Sequence, residues 1–253
     1  MKKFKLTSEF IVDISGVKLF RIKALIEFGN VKAGDLGGYI EKEENLSHMG
    51  NAWVSGNAQV SGDARVSGNA RVSGDAQVFG DARVFGDARV FGNAWVSGNA
   101  RVFGNAWVSG NARVSGNARV SGDARVFGNA RVSGNARVSS NARVSGDAQV
   151  FGDARVSGNA QVFGDARVSG DKDYAYAHGF GSCNRTTTFF RLKDGDVGVR
   201  CGCFYGTLAQ FRDNVCETHG ETKKAQEYLM LADLMELRFE EDENEVGNRK
   251  YVE

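Results

Sequence analysis

Twenty consecutive hexads of the form Gly-(Asn/Asp)-Ala-x-Val-(Ser/Phe) run without a gap from Gly50 to Ser169, and only Ser140 departs from the Gly position. This block covers 120 of the 253 residues. Such regularity predicts one small unit that is copied and stacked, because a single copy cannot bury its apolar residues without its neighbours. The sequence therefore predicts an elongated repeat region with smaller regions at its two ends.

The hexad spacing excludes an amphipathic α-helix and predicts short strands. On a helix of 3.6 residues per turn, successive Val positions would be rotated by about 240° and would share no face. In an extended strand, residues two apart point to the same side, so Ala64 and Val66 would face inward and Arg65 outward. The Gly-Asn or Gly-Asp pair that follows is typical of a turn. Collagen is excluded because Gly recurs only every sixth residue and Pro is absent.

The run Val-Ser-Gly-Asn-Ala-Arg resembles the hexapeptide repeat of left-handed parallel β-helix proteins. The resemblance implies a triangular prism with three hexads per coil, so that the repeat would form a little under seven coils. At a coil spacing of roughly 4.8 Å, the prism would be about 30 Å long. Each buried Val of its core would contribute on the order of 1.5–3 kcal/mol. We therefore predict a mainly β protein, with a left-handed β-helix over residues 50–170.

Both ends of such a rod need a cap, because unpaired strand edges promote aggregation. Residues 1–49 predict an N-terminal β cap that leads directly into the repeat. Ile40 and Leu46 fall in register with the inward Ala positions, and His48 falls on an inward Val position. The segment 30–47 is similar to the start of the β-helix in YdcK-like bacterial hexapeptide-repeat proteins. Short strands are predicted at 5–6, 10–12 and 17–26, with a hairpin turn at Ile14-Ser15-Gly16.

Composition places the chain among soluble proteins. It is 42% hydrophobic and 25% charged, and no stretch approaches the roughly 18 apolar residues of a membrane span. No signal-peptide core follows the basic start, which predicts a cytoplasmic protein. The net charge of +1 combines a repeat region with 13 Arg and 8 Asp and a C-terminal region in which acidic residues predominate. This mixture does not favour a dedicated nucleic-acid binder.

Residues 171–253 abandon the six-residue period and predict a small α+β domain. Lys193-Asp-Gly-Asp196 predicts a hairpin between strands at 186–190 and 197–204. Thr207-Leu-Ala-Gln210 is a capping box that opens a helix ending near Gly220, with Leu208, Phe211 and Val215 on one face. A second helix is predicted over 222–240, with Tyr228, Leu231, Leu234 and Met235 facing inward. The strings Thr-Thr-Thr-Phe-Phe and Cys-Gly-Cys-Phe resemble a C-terminal module of hexapeptide-repeat proteins from phages and low-GC bacteria.

The resemblance raises acyl transfer as an alternative function. Members of that superfamily bind an acyl-coenzyme A donor between neighbouring prisms and use a His as general base, which must titrate near neutrality. The repeat contains no His, since the three histidines are His48, His178 and His219. The loop that usually protrudes between coils is also missing. The sequence thus favours a non-enzymatic protein without a catalytic residue or cofactor.

The four cysteines all lie outside the repeat, at Cys183, Cys201, Cys203 and Cys216. They do not form a secreted disulfide framework. Cys201-Gly-Cys203 would place two thiols on one strand face, which leaves a zinc site open as an alternative to buried, reduced cysteines. One intervening residue is not the usual ligand spacing, so the sequence favours packing over metal binding.

The outward positions of the repeat supply the candidate binding residues. Three hexads per coil would stack an uninterrupted Arg column on one face, with Phe85 and Phe103 beside it, and would mix Arg, Gln and Trp on the other two faces. Asp63, Asp81 and Asp153 would relieve part of the repulsion between the arginines. An Arg column can attract anionic groups, and exposed Phe residues often mark an interface. The candidate residues are Arg65, Arg83, Arg101, Arg119, Arg137, Arg155, Phe85, Phe103, Trp53, Trp95 and Trp107.

These observations favour a scaffold that displays Arg, Phe and Trp columns to a protein partner or for self-association. Nucleic acid is the second type of partner, and no membrane role is indicated. The seven outward Phe residues suggest a homo-oligomer in which prism packs on prism. The phage-like C-terminal module raises the hypothesis of an accessory protein that blocks a host factor.

Overall fold

The computed structural model describes residues 1–13 and 15–240. Within this part, the chain is mainly β, with a long parallel solenoid between an antiparallel N-terminal cap and a C-terminal region of one sheet and two helices. The N-terminal elements are β1 Phe4–Val12, β2 Lys18–Ala24, β3 Leu36–Ile40 and a 3-10 turn at Glu43–Asn45.

Twenty strands of two residues each follow, one per hexad, as the repeat predicts. They are β4 Trp53–Val54, β5 Gln59–Val60, β6 Arg65–Val66, β7 Arg71–Val72, β8 Gln77–Val78, β9 Arg83–Val84, β10 Arg89–Val90, β11 Trp95–Val96, β12 Arg101–Val102, β13 Trp107–Val108, β14 Arg113–Val114, β15 Arg119–Val120, β16 Arg125–Val126, β17 Arg131–Val132, β18 Arg137–Val138, β19 Arg143–Val144, β20 Gln149–Val150, β21 Arg155–Val156, β22 Gln161–Val162 and β23 Arg167–Val168.

The C-terminal region begins with a short turn and contains four strands and two helices. Its elements are a 3-10 turn at Asp171–Asp173, β24 Tyr174–Phe180, β25 Arg185–Arg191, β26 Val197–Cys201, β27 Phe204–Thr207, α1 Leu208–His219 and α2 Lys223–Phe239.

Consecutive repeat strands belong to three different parallel sheets. Each strand pairs with the strand 18 residues later, as in the alignment of Arg83 with Arg101 and of Val84 with Val102. The six-stranded sheet runs from β6 to β21, the seven-stranded sheet from β4 to β22, and the ten-stranded sheet joins β1, β2 and β3 to the strands β5 to β23. Three hexads therefore make one coil, and the solenoid has about seven coils.

Stacked Val and Ala side chains form the interior. From Ala52 to Val168, the Ala and Val of every hexad are 0% exposed. Backbone bonds join the coils, and the Arg101 N–H donates to the Ala118 carbonyl at 2.9 Å. Since each apolar side chain contacts its counterparts above and below, stability is distributed along the rod. The predicted inward positions are confirmed.

The corners require a residue that tolerates positive φ. Gly68 has a φ of +68°, and a Cβ at this position would lie 2.9 Å from the nitrogen of Gly86 in the next coil. Ser140 occupies the same kind of corner with a φ of +58°. An L-residue in this region is strained by roughly 1–2 kcal/mol relative to Gly.

The next corner position forms hydrogen-bonded stacks of Asn side chains. The Asn117 amide donates to Asn135 Oδ1 at 3.1 Å, and the Asn135 amide donates to Asp153 Oδ1 at 3.0 Å. A carboxylate can accept this bond but cannot continue the run, so an Asp ends the stack. The choice between Asn and Asp along each corner therefore sets where charge appears on the rod.

At the first coil, two buried polar side chains satisfy carbonyl groups that have no preceding coil to pair with. Lys3 Nζ donates to the carbonyl oxygens of Ala52 at 2.8 Å and Gly50 at 3.3 Å. The Asn45 amide donates to the carbonyl of Ala64 at 2.9 Å. Burial lowers the pKa of Lys3 to about 8, because a charged amine loses hydration there. The predicted capping of this end is confirmed.

The register at the first coil differs from the prediction. Ile40 aligns with Val60 and Leu46 with Val66, so both residues lie in Val columns and the predicted Ala alignment is wrong. These pairs are 20 residues apart, whereas later pairs are 18 apart, because two extra residues are accommodated just after Leu46. His48 lies in this insertion, not in a Val column, and its ring stacks on Phe4 at 4.3 Å.

The N-terminal hairpin agrees with the prediction, although β1 joins the first two predicted strands. The Asp13 N–H donates to the Val17 carbonyl at 3.0 Å, and the Gly16 N–H donates to the Asp13 carbonyl at 3.0 Å. Ile14, part of the predicted turn, lies outside the described residues.

The C-terminal sheet covers the last coil. Phe190 is 0% exposed and joins the core of the rod, together with Tyr174. The Tyr174 hydroxyl donates to the Arg155 carbonyl at 2.5 Å, and Thr188 Oγ1 accepts the Gln161 N–H at 2.9 Å. These contacts satisfy part of the open strand edge, so the predicted second cap is also confirmed.

The four strands of the C-terminal sheet are antiparallel in chain order, and the helices pack against them. β24 was not predicted. The predicted strand at 197–204 is wrong, since Gly202 adopts a φ of +61° and divides it into β26 and β27. Cys201 is consequently buried while Cys203 is exposed, so the two thiols do not share a face.

The helices follow their predicted caps. Thr207 caps α1, whose Gln210 completes the capping box. On α2 the buried residues Tyr228, Ala232, Met235 and Phe239 recur at helical spacing. Leu234 is 55% exposed, so its predicted inward position is wrong. The prediction for 241–253 as part of this region lies outside the described residues. No helix among residues 1–13 and 15–240 is long and apolar enough to cross a membrane.

Candidate binding faces of the solenoid

The six-stranded sheet carries one unbroken column of arginines. We call Arg65, Arg83, Arg101, Arg119, Arg137 and Arg155 the Arg face. Parallel pairing aligns each residue with the next, and all six are exposed. Neighbouring strands lie roughly 4.8 Å apart, so each guanidinium has like charges directly above and below. The face is therefore a preorganised array of cationic hydrogen-bond donors.

The predicted compensation of this charge by aspartates is only partly observed. Asp63 pairs with Lys42 at 2.8 Å, and Lys42 first and Arg65 to a lesser extent lower the pKa of Asp63. Asp153 accepts a hydrogen bond from Asn135. The ion pairs among the described residues include none between an Asp and an Arg of the repeat. The arginines thus remain available to an external anionic group.

Beside the Arg face, Phe85 and Phe103 form a flat aromatic pair. Their ring centroids are 5.0 Å apart and their planes differ by 1°. Both rings are half-buried, since each lies at a corner against the next coil. A partner that contacts the adjacent arginines would also reach this apolar surface.

Trp95 and Trp107 lie on the other two faces and are covered by neighbouring arginines. Arg89 and Arg125 lie on either side of Trp107, each with its guanidinium carbon 5.1 Å from the ring centroid. Arg113 lies 5.0 Å from the centroid of Trp95. Such cation–π contacts contribute about 0.5–1 kcal/mol at exposed sites and restrict the guanidinium groups.

Trp53 differs from the other two tryptophans. It is 7% exposed and its ring packs edge-on against Phe28 at 5.4 Å. The N-terminal cap therefore covers Trp53, which belongs to the core and not to an accessible face.

The distribution of charge along the rod defines a further group of residues that the sequence interpretation missed. In residues 57–92, four Arg are balanced by four Asp, whereas residues 93–146 contain seven Arg and one Asp. The signal was the replacement of Asp by Asn at successive corners. We call this group the basic belt: Arg101, Arg113, Arg119, Arg125, Arg131, Arg137 and Arg143.

All seven arginines of the basic belt are exposed, and they are spread over all three sheets. The belt spans three coils, or roughly 14 Å along the rod at 4.8 Å per coil. Within the Arg face, Arg101, Arg119 and Arg137 follow Asn corners, whereas Arg65, Arg83 and Arg155 follow Asp corners. The positive potential is therefore strongest in the middle of the rod.

The histidines have structural contacts at the two ends. His48 Nδ1 accepts the Lys3 N–H at 3.2 Å. His178 Nδ1 lies 2.9 Å from Thr186 Oγ1, and the ring of His219 stacks on Tyr228 at 5.8 Å. In the described part of the chain, no group of three or more His, Cys, Asp or Glu is placed to hold a metal ion.

Comparison with known proteins agrees with the geometry of the repeat. Eleven overlapping segments match one family model, and together they cover residues 58–146 and 148–162. That family is described as the YdcK Beta solenoid repeat. The match covers less than half of the chain and supports the β-solenoid fold of the repeat. None of the curated proteins matches this chain.

Proposed function

We propose that this protein is a non-enzymatic β-solenoid scaffold whose basic belt binds an acidic surface of a protein partner. The observation that supports this most strongly is the set of seven exposed arginines over three coils with a single Asp among them. Charge of one sign at an interface accelerates association and selects partners of opposite charge.

The rigidity of the solenoid supports the same proposal. The backbone between Arg101 and Arg119 is bonded to the coils above and below, and the side chains beneath are fully buried. A partner would therefore not have to order the surface on binding, which lowers the entropic cost of association. Phe85 and Phe103 provide an apolar area next to the charges, as interface cores require.

The finer identity belongs to the same proposal. We infer that the solenoid is a left-handed member of the hexapeptide-repeat superfamily and that it acts in the cytoplasm, as an accessory protein that blocks a host factor. The resemblance of the repeat and of the C-terminal strings to such proteins supports this inference.

Two triple variants provide a matched test. Arg101→Glu, Arg119→Glu and Arg137→Glu reverse the middle of the Arg face, whereas Arg65→Glu, Arg83→Glu and Arg155→Glu reverse the same number of charges at its ends. We expect a labelled poly-glutamate peptide to bind the full chain, and the middle variant to lose roughly tenfold to a hundredfold in affinity. The end variant should lose less than the middle variant.

Circular dichroism and thermal unfolding of both variants establish that the solenoid is intact. Equal loss in the two variants would contradict the role of the basic belt. Tighter binding of single-stranded DNA than of poly-glutamate, with a steep salt dependence, would favour a nucleic-acid partner instead. Loss of poly-glutamate binding through Phe85→Ser alone would move the site from the arginines to the aromatic pair.

A further inference from the structure

Helix α2 exposes an apolar stripe on the side opposite the core. Met230 is 71% exposed, Leu234 55% and Leu237 68%. The buried residues, such as Tyr228 and Ala232, lie on the other side of the same helix. Three large apolar side chains on one exposed face are more than the scattered apolar residues of an ordinary surface.

The spacing of the stripe is that of a coiled-coil seam. Met230, Leu234 and Leu237 are separated by four and three residues, and Glu227 continues the series toward the N-terminus. The series is also self-complementary about the level of Ala232. If two copies of α2 run antiparallel, Met230 of one copy lies opposite Leu234 of the other, in both directions.

The charges at the two ends of α2 suit the same antiparallel arrangement. Lys223 and Lys224 begin the helix, and the exposed Glu240 follows its last residue. The sequence after Glu240 continues as Glu-Asp-Glu. An antiparallel pair would bring the basic end of each helix toward the acidic end of the other, and would also align the helix dipoles favourably.

One like-charge contact near the axis is already neutralised. Asp233 lies beside the stripe, so the two copies of Asp233 would approach each other at the twofold axis. Within the chain, Arg212 of α1 forms an ion pair with Asp233 and a second one with Glu236 at 2.6 Å. The intramolecular pairs therefore reduce the repulsion that the seam would otherwise experience.

We propose that α2 is a homodimerisation helix, which pairs antiparallel with α2 of a second copy around a twofold axis near Ala232. A twofold interface uses the same patch on both copies, and this stripe is complementary to itself in both apolar positions and end charges. The surface is separate from the Arg face and the basic belt, so dimerisation and the proposed partner binding can fail independently.

Sedimentation equilibrium of the full chain over a range of concentrations tests the proposal. We expect a monomer–dimer equilibrium in the wild type, and an increase of at least tenfold in the dimer dissociation constant for Leu234→Glu. Leu36→Glu is the matched control, since Leu36 is 52% exposed on β3 and far from the stripe in sequence. This control should dimerise like the wild type.

A charge exchange gives a second readout that does not depend on the apolar seam. Lys223→Glu should weaken the dimer, and the addition of Glu240→Lys should restore it. A monomer at every concentration would overturn the proposal. So would a dimer that survives Leu234→Glu, a dimer lost in Leu36→Glu, or a dimer lost in Phe85→Ser with Leu234 intact.

Discussion

Lys3 is expected to make the N-terminal cap more stable as the pH rises from about 7 to about 9.5. The side chain is 1% exposed, and burial lowers its pKa from 10.5 to about 8. The unfolded chain therefore binds more protons than the folded chain between these two values. Stability increases with pH wherever the unfolded state binds more protons, so the sign of the effect is positive in this window.

The size of the effect follows from the shift. A difference of about 2.5 pKa units corresponds to roughly 3 kcal/mol, present as a penalty below pH 8 and removed as the pH passes 10.5. About 2 kcal/mol of this should be recovered by pH 9.5. Burial raises the pKa of Tyr174, whose contribution to stability declines only at higher pH. The window below about pH 9.5 therefore isolates Lys3.

Urea unfolding at several pH values measures this slope. Replacement of Trp95 and Trp107 by Phe leaves Trp53 as the single tryptophan, and Trp53 packs against Phe28, whose ring lies 4.6 Å from Lys3 Nζ. The midpoint should rise with pH in this background, and Lys3→Met should abolish the rise. Parallel pH profiles with and without Lys3→Met would refute the reasoning, whatever the absolute stability of the variant.

Three further substitutions test the solenoid and its C-terminal cap by chemical unfolding. Ser140→Gly should stabilise the chain by about 1 kcal/mol, because it relieves an L-residue at positive φ; a destabilisation would contradict the strain. Val102→Ala should cost about 2 kcal/mol, since it removes two buried carbon groups from a packed column, and a cost near zero would mean that the column is not packed. Tyr174→Phe should cost about 1 kcal/mol by leaving the Arg155 carbonyl without its hydroxyl donor, and an unchanged midpoint would argue against this contact as part of the cap.

The repeat region was predictable because one residue pattern fixes period, face and corner together. Alternation of Ala64, Arg65 and Val66 set the inward side, and the 18-residue alignment followed from three hexads per coil. The register of the first coil was not predictable in the same way. A shift by two residues keeps the same side of a strand inward, so Ile40 fits an Ala column and a Val column equally well in sequence.

Long-range contacts account for the other differences. Trp53 has the same local sequence as Trp95, and only the position of Phe28 in the folded cap buries the first and leaves the second accessible. Leu234 was one of several apolar residues on α2, and the packing of Ala232 and Met235 against the sheet decided which side is buried. The basic belt, in contrast, is visible in the sequence once Asn and Asp are counted separately along each corner.

The alignment of the Arg face is the claim on which the proposed binding function depends most directly. Spin labels at Arg65→Cys and Arg155→Cys, in a chain with Cys183, Cys203 and Cys216 replaced by Ser, measure it by pulsed electron resonance. Five coil steps of roughly 4.8 Å predict a narrow distance distribution centred near 24 Å. A broad distribution, or a mean distance well above 40 Å, would contradict the stacked coils and with them the Arg face.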